Sequence, residues 1–361
     1  MQNVPNGWSA KGRIMTNPRK RQKLEEVDRF YPILHPDYTE PTPLTEVYVD
    51  TIIDLKHISK IVLELNATFP IPQLNHLKRI KKAEVLLHLC ESDLDPERMY
   101  STLKEKGFDV SVFENNPKKV YVAKIPPKTR KQYEVVHQLW PCNFHSNKYV
   151  ERLCNNELFD ANEIENHVIY MRIALEVGHL MRSGVGVVVV DPKINSIVAV
   201  GHDSRKNNPC QHAIMVAVDN VALTQNGGAW KTPSTKMSLR TNLNLNGIYS
   251  EFLPNLREKY PQVNFGASFY KNKSEIDNPA EGPYLCTGYI VYVTREPCVM
   301  CSMALVHSRA KRVFFGAKNL KGGLLTLCQI HTVKNLNHHY EVFGGLLEDE
   351  CEHLLQMNPI D

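Results

Sequence analysis

Two short segments that carry metal-ligand side chains constrain the fold of this chain most. Gln211-His212-Ala213-Ile214 opens a predicted apolar helix, and Pro297-Cys298-Val299-Met300-Cys301 follows a predicted strand and begins another helix. Two thiolates three residues apart in a first helical turn can face one metal ion, and a helix N-terminus favours their deprotonated form. Because 86 residues separate His212 from Cys298, only a tertiary fold can bring all three side chains to one ion.

The pair Cys298 and Cys301 alone is compatible with a redox pair or with half of a structural zinc site. An imidazole from His212 makes three protein ligands and leaves a fourth tetrahedral position open, as in catalytic zinc sites. Cys210, two residues before His212, is a candidate fourth ligand that would close the site. We expect Zn²⁺ bound by His212, Cys298 and Cys301.

The second half of the chain alternates strands and helices. Strands are predicted at residues 184–190, 196–200, 289–294 and 312–315, and helices at residues 163–182, 212–223, 298–307 and 348–356. This alternation predicts a three-layer α/β domain over residues 151–361. The polar stretch at about residues 225–285 is too long for an ordinary loop and is predicted to be an insertion.

The first half predicts a smaller domain behind a flexible start. Residues 1–45 contain many prolines and charges without a clear period, and we expect a flexible basic arm. Residues 46–150 predict an α+β domain and a linker marked by Pro126-Pro127 and Trp140-Pro141. Its predicted strands are residues 47–49, 85–89, 110–113 and 120–123, and its predicted helices are residues 55–65 and 96–106.

Positive charge is concentrated in the first half. Residues 1–150 hold 23 Lys and Arg against 18 Asp and Glu, whereas residues 151–361 hold 20 against 21. Residues 1–24 and residues 115–133 each contain six cations and no acid. Such clusters suit a polyanion, and interleaved tyrosines suit RNA bases, although an ordinary solvated basic face has the same composition. The candidate nucleic-acid contacts are Lys118, Lys119, Lys124, Lys128, Arg130 and Lys131.

Composition excludes several classes of protein. The longest aliphatic run, at residues 185–190, is far shorter than the roughly 20 residues of a spanning helix. Nine scattered cysteines favour a reducing compartment over a secreted disulfide scaffold. We therefore expect a soluble protein without a membrane partner. The segment Arg19-Lys20-Arg21-Gln22-Lys23 also fits a nuclear import signal, so we expect the nucleus and the cytoplasm.

The two metal-ligand segments resemble the zinc-dependent nucleoside and nucleobase deaminases, whose signature is H-x-E followed by P-C-x-x-C. The run Glu296–Ala310, continuing through Val313–Ala317, is very similar to the tRNA adenosine deaminases, and the resemblance covers about residues 160–355. It implies a cytidine-deaminase-like fold for the C-terminal domain and zinc as the cofactor.

One residue departs from that family pattern. Active members carry a Glu two residues after the ligand His, where it moves protons between water and the base, and this chain has Ile214 there. Loss of a general acid–base normally costs about 10²–10⁴ in rate. Asp203 occupies the place where the family has an Asn that contacts the base. We predict that the isolated chain cannot deaminate and contains no catalytic residue at this site.

A deaminase domain without its Glu resembles the non-catalytic subunits of eukaryotic heterodimeric tRNA adenosine deaminases, which convert wobble adenosine to inosine. The resemblance implies a catalytic partner subunit that carries the Glu, and a tRNA held in part by the N-terminal domain. Two alternatives are an autonomous zinc-dependent nucleoside or RNA deaminase, in which another carboxylate such as Glu296 acts, and a zinc-stabilised RNA-binding protein. A carboxylate from the C-terminal residues 357–361 is a further hypothesis for the fourth zinc position.

Overall fold

The structure, a computed structural model, describes residues 30–90, 95–230, 243–268 and 284–359. The chain divides into two compact units. One contains residues 34–158, and the other contains residues 159–361 together with the chain up to residue 33. Among the described helices, none is both long and apolar enough to cross a membrane.

Strands and helices alternate along most of the described chain. The strands are β1 (Tyr31–Pro32), β2 (Leu44–Thr51), β3 (Ile80–Lys81), β4 (Glu84–Leu89), β5 (Lys118–Ala123), β6 (Gly186–Asp191), β7 (Ser196–His202), β8 (Asn264–Phe265), β9 (Ile290–Arg295), β10 (Arg312–Ala317) and β11 (Glu341–Gly344). The helices are α1 (Pro36–Thr39), α2 (Ile58–Thr68), α3 (Pro96–Glu105), α4 (Arg130–Leu139), α5 (Lys148–Cys154), α6 (Ala161–Leu180), α7 (Ala213–Thr224), α8 (Leu253–Lys259), α9 (Val299–His307) and α10 (Glu348–Met357).

The unit of residues 34–158 is built on an antiparallel sheet in the order β3-β4-β2-β5. Alternate side chains of the strands point to opposite faces, so the sheet has an apolar core on each side. Ile61 of α2 and Met99 of α3 pack in one core, and Val136 of α4 and Trp140 pack in the other. The unit is therefore an α+β domain, as the sequence predicts.

Two local predictions for this unit are wrong. Residues 110–112 form a 3-10 helix rather than a strand, because the Asp109 carboxylate accepts a hydrogen bond from the backbone N–H of Ser111 and closes a turn. The stretch after Pro126-Pro127 is not a simple crossing segment, since it contains α4 and α5. A capping box between Thr129 and Gln132 begins α4.

The other unit is a three-layer α/β domain around a sheet in the order β1-β11-β10-β9-β6-β7-β8. Strands β9, β10 and β11 run parallel to one another, and β6 runs antiparallel to both β9 and β7. Helices α6 and α10 pack on one face of the sheet. Helices α7 and α9 contact each other, and their side chains share a core with inward residues of the strands on the other face.

Two boundaries in the sequence-based domain division need correction. The described end of the predicted flexible arm is ordered: β1 pairs antiparallel with β11, and the Phe30 side chain is buried. Within the predicted insertion, β8 pairs with β7 and Leu256 of α8 is buried, so residues 243–268 are part of the packed domain. Both segments lack a hydrophobic period because only a few of their side chains reach the core. Residues 1–29, with their cations, lie outside the described chain.

Candidate functional site

The sheet topology brings the two metal-ligand segments to one edge. Strand β6 is antiparallel to β7 and to β9, and its start pairs with the ends of both, as Gly186 with His202 and Val187 with Val293. The chain then leaves β7 towards α7 and leaves β9 towards α9. His212 is the N-cap residue of α7 and Cys298 is the N-cap residue of α9. Both helices therefore begin beside the same edge of the sheet.

The three predicted ligands form a single cluster. The ligand atoms of His212, Cys298 and Cys301 all lie within 4.8 Å of one another. His212 Nδ1 lies 3.5 Å from Cys298 Sγ, close to the edge of about 3.6 Å between N and S ligands of tetrahedral zinc. Cys301 is buried and Cys298 is half-buried. One imidazole and two thiolates with this spacing fit a zinc ion that keeps a fourth position open.

Helix position and hydrogen bonding prepare Cys298 for metal binding. The hydrogen bond from the Cys301 thiol, together with nearby backbone N–H groups and His212, lowers the pKa of Cys298 to about 5. A thiolate is the form that binds metals. Helix α9 supplies these N–H groups because its first turn has no intrahelical partners for them.

Cys210 does not complete a closed site. Its side chain is exposed, and it is absent from the only ligand cluster found among the described residues. The backbone N–H of Cys210 instead donates to Asn208 Oδ1 in the loop between β7 and α7. The C-terminal hypothesis is not tested, because Ile360 and Asp361 lie outside the described chain.

Ile214 lies at the wall of the cavity that the three ligands border. This cavity has a volume of about 260 Å³, and Ile214 is only 2% exposed within the first turn of α7. A hydrocarbon side chain at this place cannot accept or deliver a proton. The geometry therefore preserves the metal ligands of a deaminase without its proton carrier.

Glu296 also borders the cavity, but its carboxylate holds a loop together. It accepts hydrogen bonds from the backbone N–H groups of Asn319, Leu324, Leu325 and Thr326 and from the Thr326 hydroxyl. Gly322 lies against it so closely that a Cβ there would come 2.0 Å from Glu296 Cδ. All of these contacts fix the loop of residues 319–326, so Glu296 is not a free general base.

Asp203 is held by an arginine that sequence reasoning did not single out. Arg205 Nε lies 2.9 Å and 3.1 Å from the two carboxylate oxygens of Asp203, and the backbone N–H of Arg205 also donates to Oδ1. Arg295 and Lys321 line the same cavity. Arg205 and Arg295 stand close to the motif residues in sequence, but only their inward direction in the fold marks them as part of the site.

The six predicted nucleic-acid contacts lie in the unit of residues 34–158. Lys118 and Lys119 are on β5, an edge strand of the sheet, and Arg130 and Lys131 are in the first turn of α4. All six side chains are exposed: Lys118, Lys119, Lys124, Lys128, Arg130 and Lys131. Tyr121 on the same strand is 57% exposed. The zinc ligands and these cations therefore belong to separate units.

Two family models match most of the described chain. Residues 164–317 match the cytidine and deoxycytidylate deaminase zinc-binding region. Residues 45–140 match the tRNA-specific adenosine deaminase TAD3 N-terminal domain. The first match contains all three metal-ligand residues, and the second contains all six predicted nucleic-acid contacts.

Full-length relatives match both units. The "Probable inactive tRNA-specific adenosine deaminase-like protein 3" of Danio rerio is 34% identical over 361 residues, covering 93% of this chain and 98% of its own length. The Homo sapiens protein with the same name is 33% identical, covering 90% of this chain and 91% of its own length. The "tRNA-specific adenosine deaminase TAD3" of Arabidopsis thaliana is 25% identical, covering 91% of this chain and 96% of its own length.

Proposed function

We propose, from the premise that this chain belongs to the TAD3 family of tRNA-specific adenosine deaminase proteins, that it is the non-catalytic subunit of a heterodimeric enzyme that converts wobble adenosine to inosine in tRNA. A catalytic partner subunit supplies the Glu that this chain lacks. The chain itself contributes a deaminase-like scaffold and a surface for tRNA.

The single observation that carries this proposal is the side chain at position 214. Ile214 lies beside the preserved ligands His212, Cys298 and Cys301, so the site keeps its metal-binding groups and loses its proton carrier. Neither carboxylate of the described cavity lining replaces it, because Glu296 is occupied by the loop of residues 319–326 and Asp203 by Arg205. The alternative of an autonomous deaminase therefore has no acid–base group to support it.

Zinc in this subunit has a structural role in the proposal. His212, Cys298 and Cys301 would hold it, and each ligand lies at or just inside the start of a helix. When bound, zinc would supply the positive charge that keeps both cysteines as thiolates. Because metal binding to such a site is also folding free energy, it would tie α7 to α9 across 86 residues of chain.

The basic segment of residues 118–131 is the proposed tRNA contact. Arg130 and Lys131 place positive charge in the first turn of α4, where the helix dipole disfavours cations. The first backbone N–H groups there are already used, since Lys128 and Thr129 donate to Gln132 and Arg130 donates to Glu151. The Arg130 and Lys131 side chains are exposed, and no ion pair of either is found within the described part of the chain, so both can reach phosphates. Lys118 has one weak competitor, Glu84 at 3.9 Å.

The proposed function is tested by an inosine assay at the wobble base of a tRNA substrate. We expect no product from the zinc-loaded chain alone, and product when a Glu-bearing partner is added. A partner whose Glu is replaced by Gln serves as the control and should abolish product in the mixture. Turnover by the single chain at a rate comparable to the mixture would contradict the proposal.

The tRNA contact has its own test. Replacing Lys128, Arg130 and Lys131 by Gln should weaken tRNA binding and reduce the slope of log K against log salt by about 2–3, because each phosphate contact contributes about 0.7–0.9. A matched triple variant on another exposed face, Lys56, Lys60 and Lys104 to Gln, should change both quantities much less. Equal effects of the two variants would indicate general charge attraction only.

The proposed location is the nucleus and the cytoplasm. It is supported by the segment Arg19-Lys20-Arg21-Gln22-Lys23, which has the composition of an import signal and lies outside the described residues. Replacement of these four cations by Gln in a fluorescent fusion should deplete the nuclear signal, and an unchanged distribution would remove the support.

A further inference from the structure

The cavity beside the metal ligands is lined by several charged side chains besides those ligands. Apart from the ligands, its charged lining consists of the carboxylates of Asp203 and Glu296 and the cations of Arg205, Arg295 and Lys321. Both carboxylates are already paired. Glu296 accepts five hydrogen bonds from the loop of residues 319–326, and Asp203 is bound by Arg205 through both of its oxygens.

Arg295 is the group without a partner. It is the last residue of β9, three positions before the ligand Cys298, and its side chain lines the cavity. Its Nε is buried and makes no hydrogen bond, and no ion pair of its guanidinium is found among the described residues. Leaving such a donor unsatisfied is costly, and more so when it belongs to a charged group. Burial, and then the positive charge of Arg205, lower the pKa of Arg295.

Arg205 is a second guanidinium in this cavity with donors that an anion could use. Its Nε is used by Asp203, but its two terminal nitrogens make no hydrogen bond within the described part of the chain. Lys321, from the loop that Glu296 fixes, is exposed and lines the cavity as a third cation. Three cations thus border a space in which every carboxylate is occupied.

We propose that this cavity binds a phosphate group, with the Arg295 guanidinium as its main ligand and Arg205 and Lys321 as supporting cations. A guanidinium fork matches two phosphate oxygens at once, and such charge-assisted pairs are about twice as strong as neutral hydrogen bonds. A volume of about 260 Å³ holds a phosphate together with the sugar that carries it.

The phosphate has two possible sources with the same chemistry, a free mononucleotide and the backbone of an RNA. The inference does not depend on the proposed tRNA function, because phosphate binding is measured on the zinc-loaded full chain without its partner. Failure of the inosine assay would leave this inference intact, and failure of the binding assay would leave the subunit role intact.

The test is calorimetric titration with adenosine 5′-monophosphate, inorganic phosphate and adenosine. We expect the monophosphate to bind, inorganic phosphate to compete with it, and adenosine to bind at least about tenfold more weakly, since each charge-assisted hydrogen bond contributes about 1.5–3 kcal/mol. Arg295→Met should weaken monophosphate binding by at least about tenfold. It should leave the melting temperature unchanged or raised, because the guanidinium has no protein partner to lose.

Two further variants make the result specific. Arg309→Met removes an exposed arginine of the same unit, stacked on Tyr284 and outside the cavity, and should leave the affinity within about twofold. Arg295→Lys keeps the charge and loses the fork, so its affinity should lie between the wild type and Arg295→Met. If Arg295→Met does not fold, the monophosphate affinity of Arg295→Lys is compared with that of the wild type instead.

Competition with a short single-stranded RNA identifies the source. Displacement of the monophosphate by this RNA assigns the site to an RNA backbone phosphate, and simultaneous binding of both assigns it to a free nucleotide. Equal affinity for adenosine and its monophosphate would overturn the inference. An Arg295→Met variant that binds the monophosphate as tightly as the wild type would also overturn it.

Discussion

Single residues decide which chemistry this deaminase domain can and cannot perform. Ile214 occupies the place of a proton carrier, and Glu296 and Asp203, the two carboxylates of the described cavity lining, each accept hydrogen bonds within the protein. Because both carboxylates are engaged in hydrogen bonds within the protein, neither of them is free to take the place of the missing Glu in the described cavity.

We expect that Ile214→Glu alone does not restore catalysis. The new carboxylate would enter a cavity where Arg295 is available to pair with it, and Asp203 would still be bound to Arg205 where the family has an Asn. The measurement is inosine formation by the variant together with a partner that lacks its own Glu. Activity at the level of a normal heterodimer would show that the rest of the pocket is intact.

Glu296→Gln should destabilise the domain by about 2–4 kcal/mol. The amide has one accepting oxygen and an NH₂ group that would face N–H donors of the loop, so several of the five hydrogen bonds would be lost. Urea unfolding measures the free-energy change. Glu258→Gln, an exposed position in the same unit, is the control and should change stability by less than about 0.5 kcal/mol.

At the scale of elements, stacked aromatic rings connect neighbouring strands in the sheet of the deaminase-like unit. Tyr292, Phe314 and Phe343 stand in register on β9, β10 and β11, with ring centroids 5.1 Å and 4.9 Å apart and planes tilted by 6° and 16°. Phe30 and His167 pack edge-on or tilted against this stack. Phe30, directly before the short strand β1, therefore packs into this ring cluster.

Phe30, the residue before the two-residue strand β1, should contribute measurably to stability. Phe30→Ala removes a buried ring that contacts Phe159, His167, Phe314 and Phe343, and we expect a loss of about 3–5 kcal/mol. The control Tyr31→Ala removes an exposed neighbour and should cost much less. Equal effects in denaturant unfolding would mean that the ring cluster does not depend on Phe30.

Stability should fall as the pH decreases below about 6.5. Burial, and then the charge of Arg312, lower the pKa of His167 to about 3, while its Nδ1 lies 2.7 Å from the Tyr292 hydroxyl. Below pH 6.5 the His167 imidazole is protonated in the unfolded chain but stays neutral in the folded chain. The free energy of unfolding should therefore drop by about 2 kcal/mol between pH 6.5 and 4.5.

The variant His167→Gln tests this assignment because it cannot titrate in that range. It should flatten the decline between pH 6.5 and 4.5, whatever its stability at neutral pH. Val313→Ala is the control, since it weakens the core on the other face of the same sheet without changing a titrating group, and it should keep the wild-type slope. A His167→Gln protein with an unchanged slope would assign the acid sensitivity to other groups.

At the scale of the whole molecule, the residues proposed to bind zinc and those proposed to contact tRNA lie in different units. The metal ligands lie in the unit of residues 159–361, and the exposed cations of residues 118–131 lie in the unit of residues 34–158. Each unit has its own sheet and its own apolar core. Changes in metal loading should therefore act on one unit.

Removal of zinc by a chelator should destabilise the deaminase-like unit selectively. Hydrogen exchange should accelerate in peptides that cover α7 and α9, because the proposed zinc ion would join the starts of these two helices. Peptides that cover β2 and β4 should exchange at an unchanged rate. Cys301→Ser should reproduce the pattern without chelator, and uniform acceleration across both units would contradict a local role for the metal.

The sequence by itself determined the features that depend on residue type and local spacing. The three ligands, the missing Glu at Ile214, the alternation of strands and helices from residue 161 onward and the α+β character of the first unit all follow from short-range patterns, because helix and strand periods repeat within a few residues. Resemblance to a family extended these patterns to a function. Local spacing did not predict α4, because its capping box follows directly after Pro126-Pro127, and prolines are typical of loops.

Only the tertiary structure decided which groups meet. It paired Glu296 with a loop about 30 residues further along the chain. It directed the side chains of Arg205 and Arg295 towards the same cavity, and it placed Phe30 against strands almost 300 residues away. Such contacts follow from how the sheet orders its strands, which no local pattern encodes. The absence of a proton carrier at this site is visible in one residue, Ile214, because it depends on residue type alone. The proposed anion site, in contrast, requires the fold, because its three cations come from three separate segments of the chain.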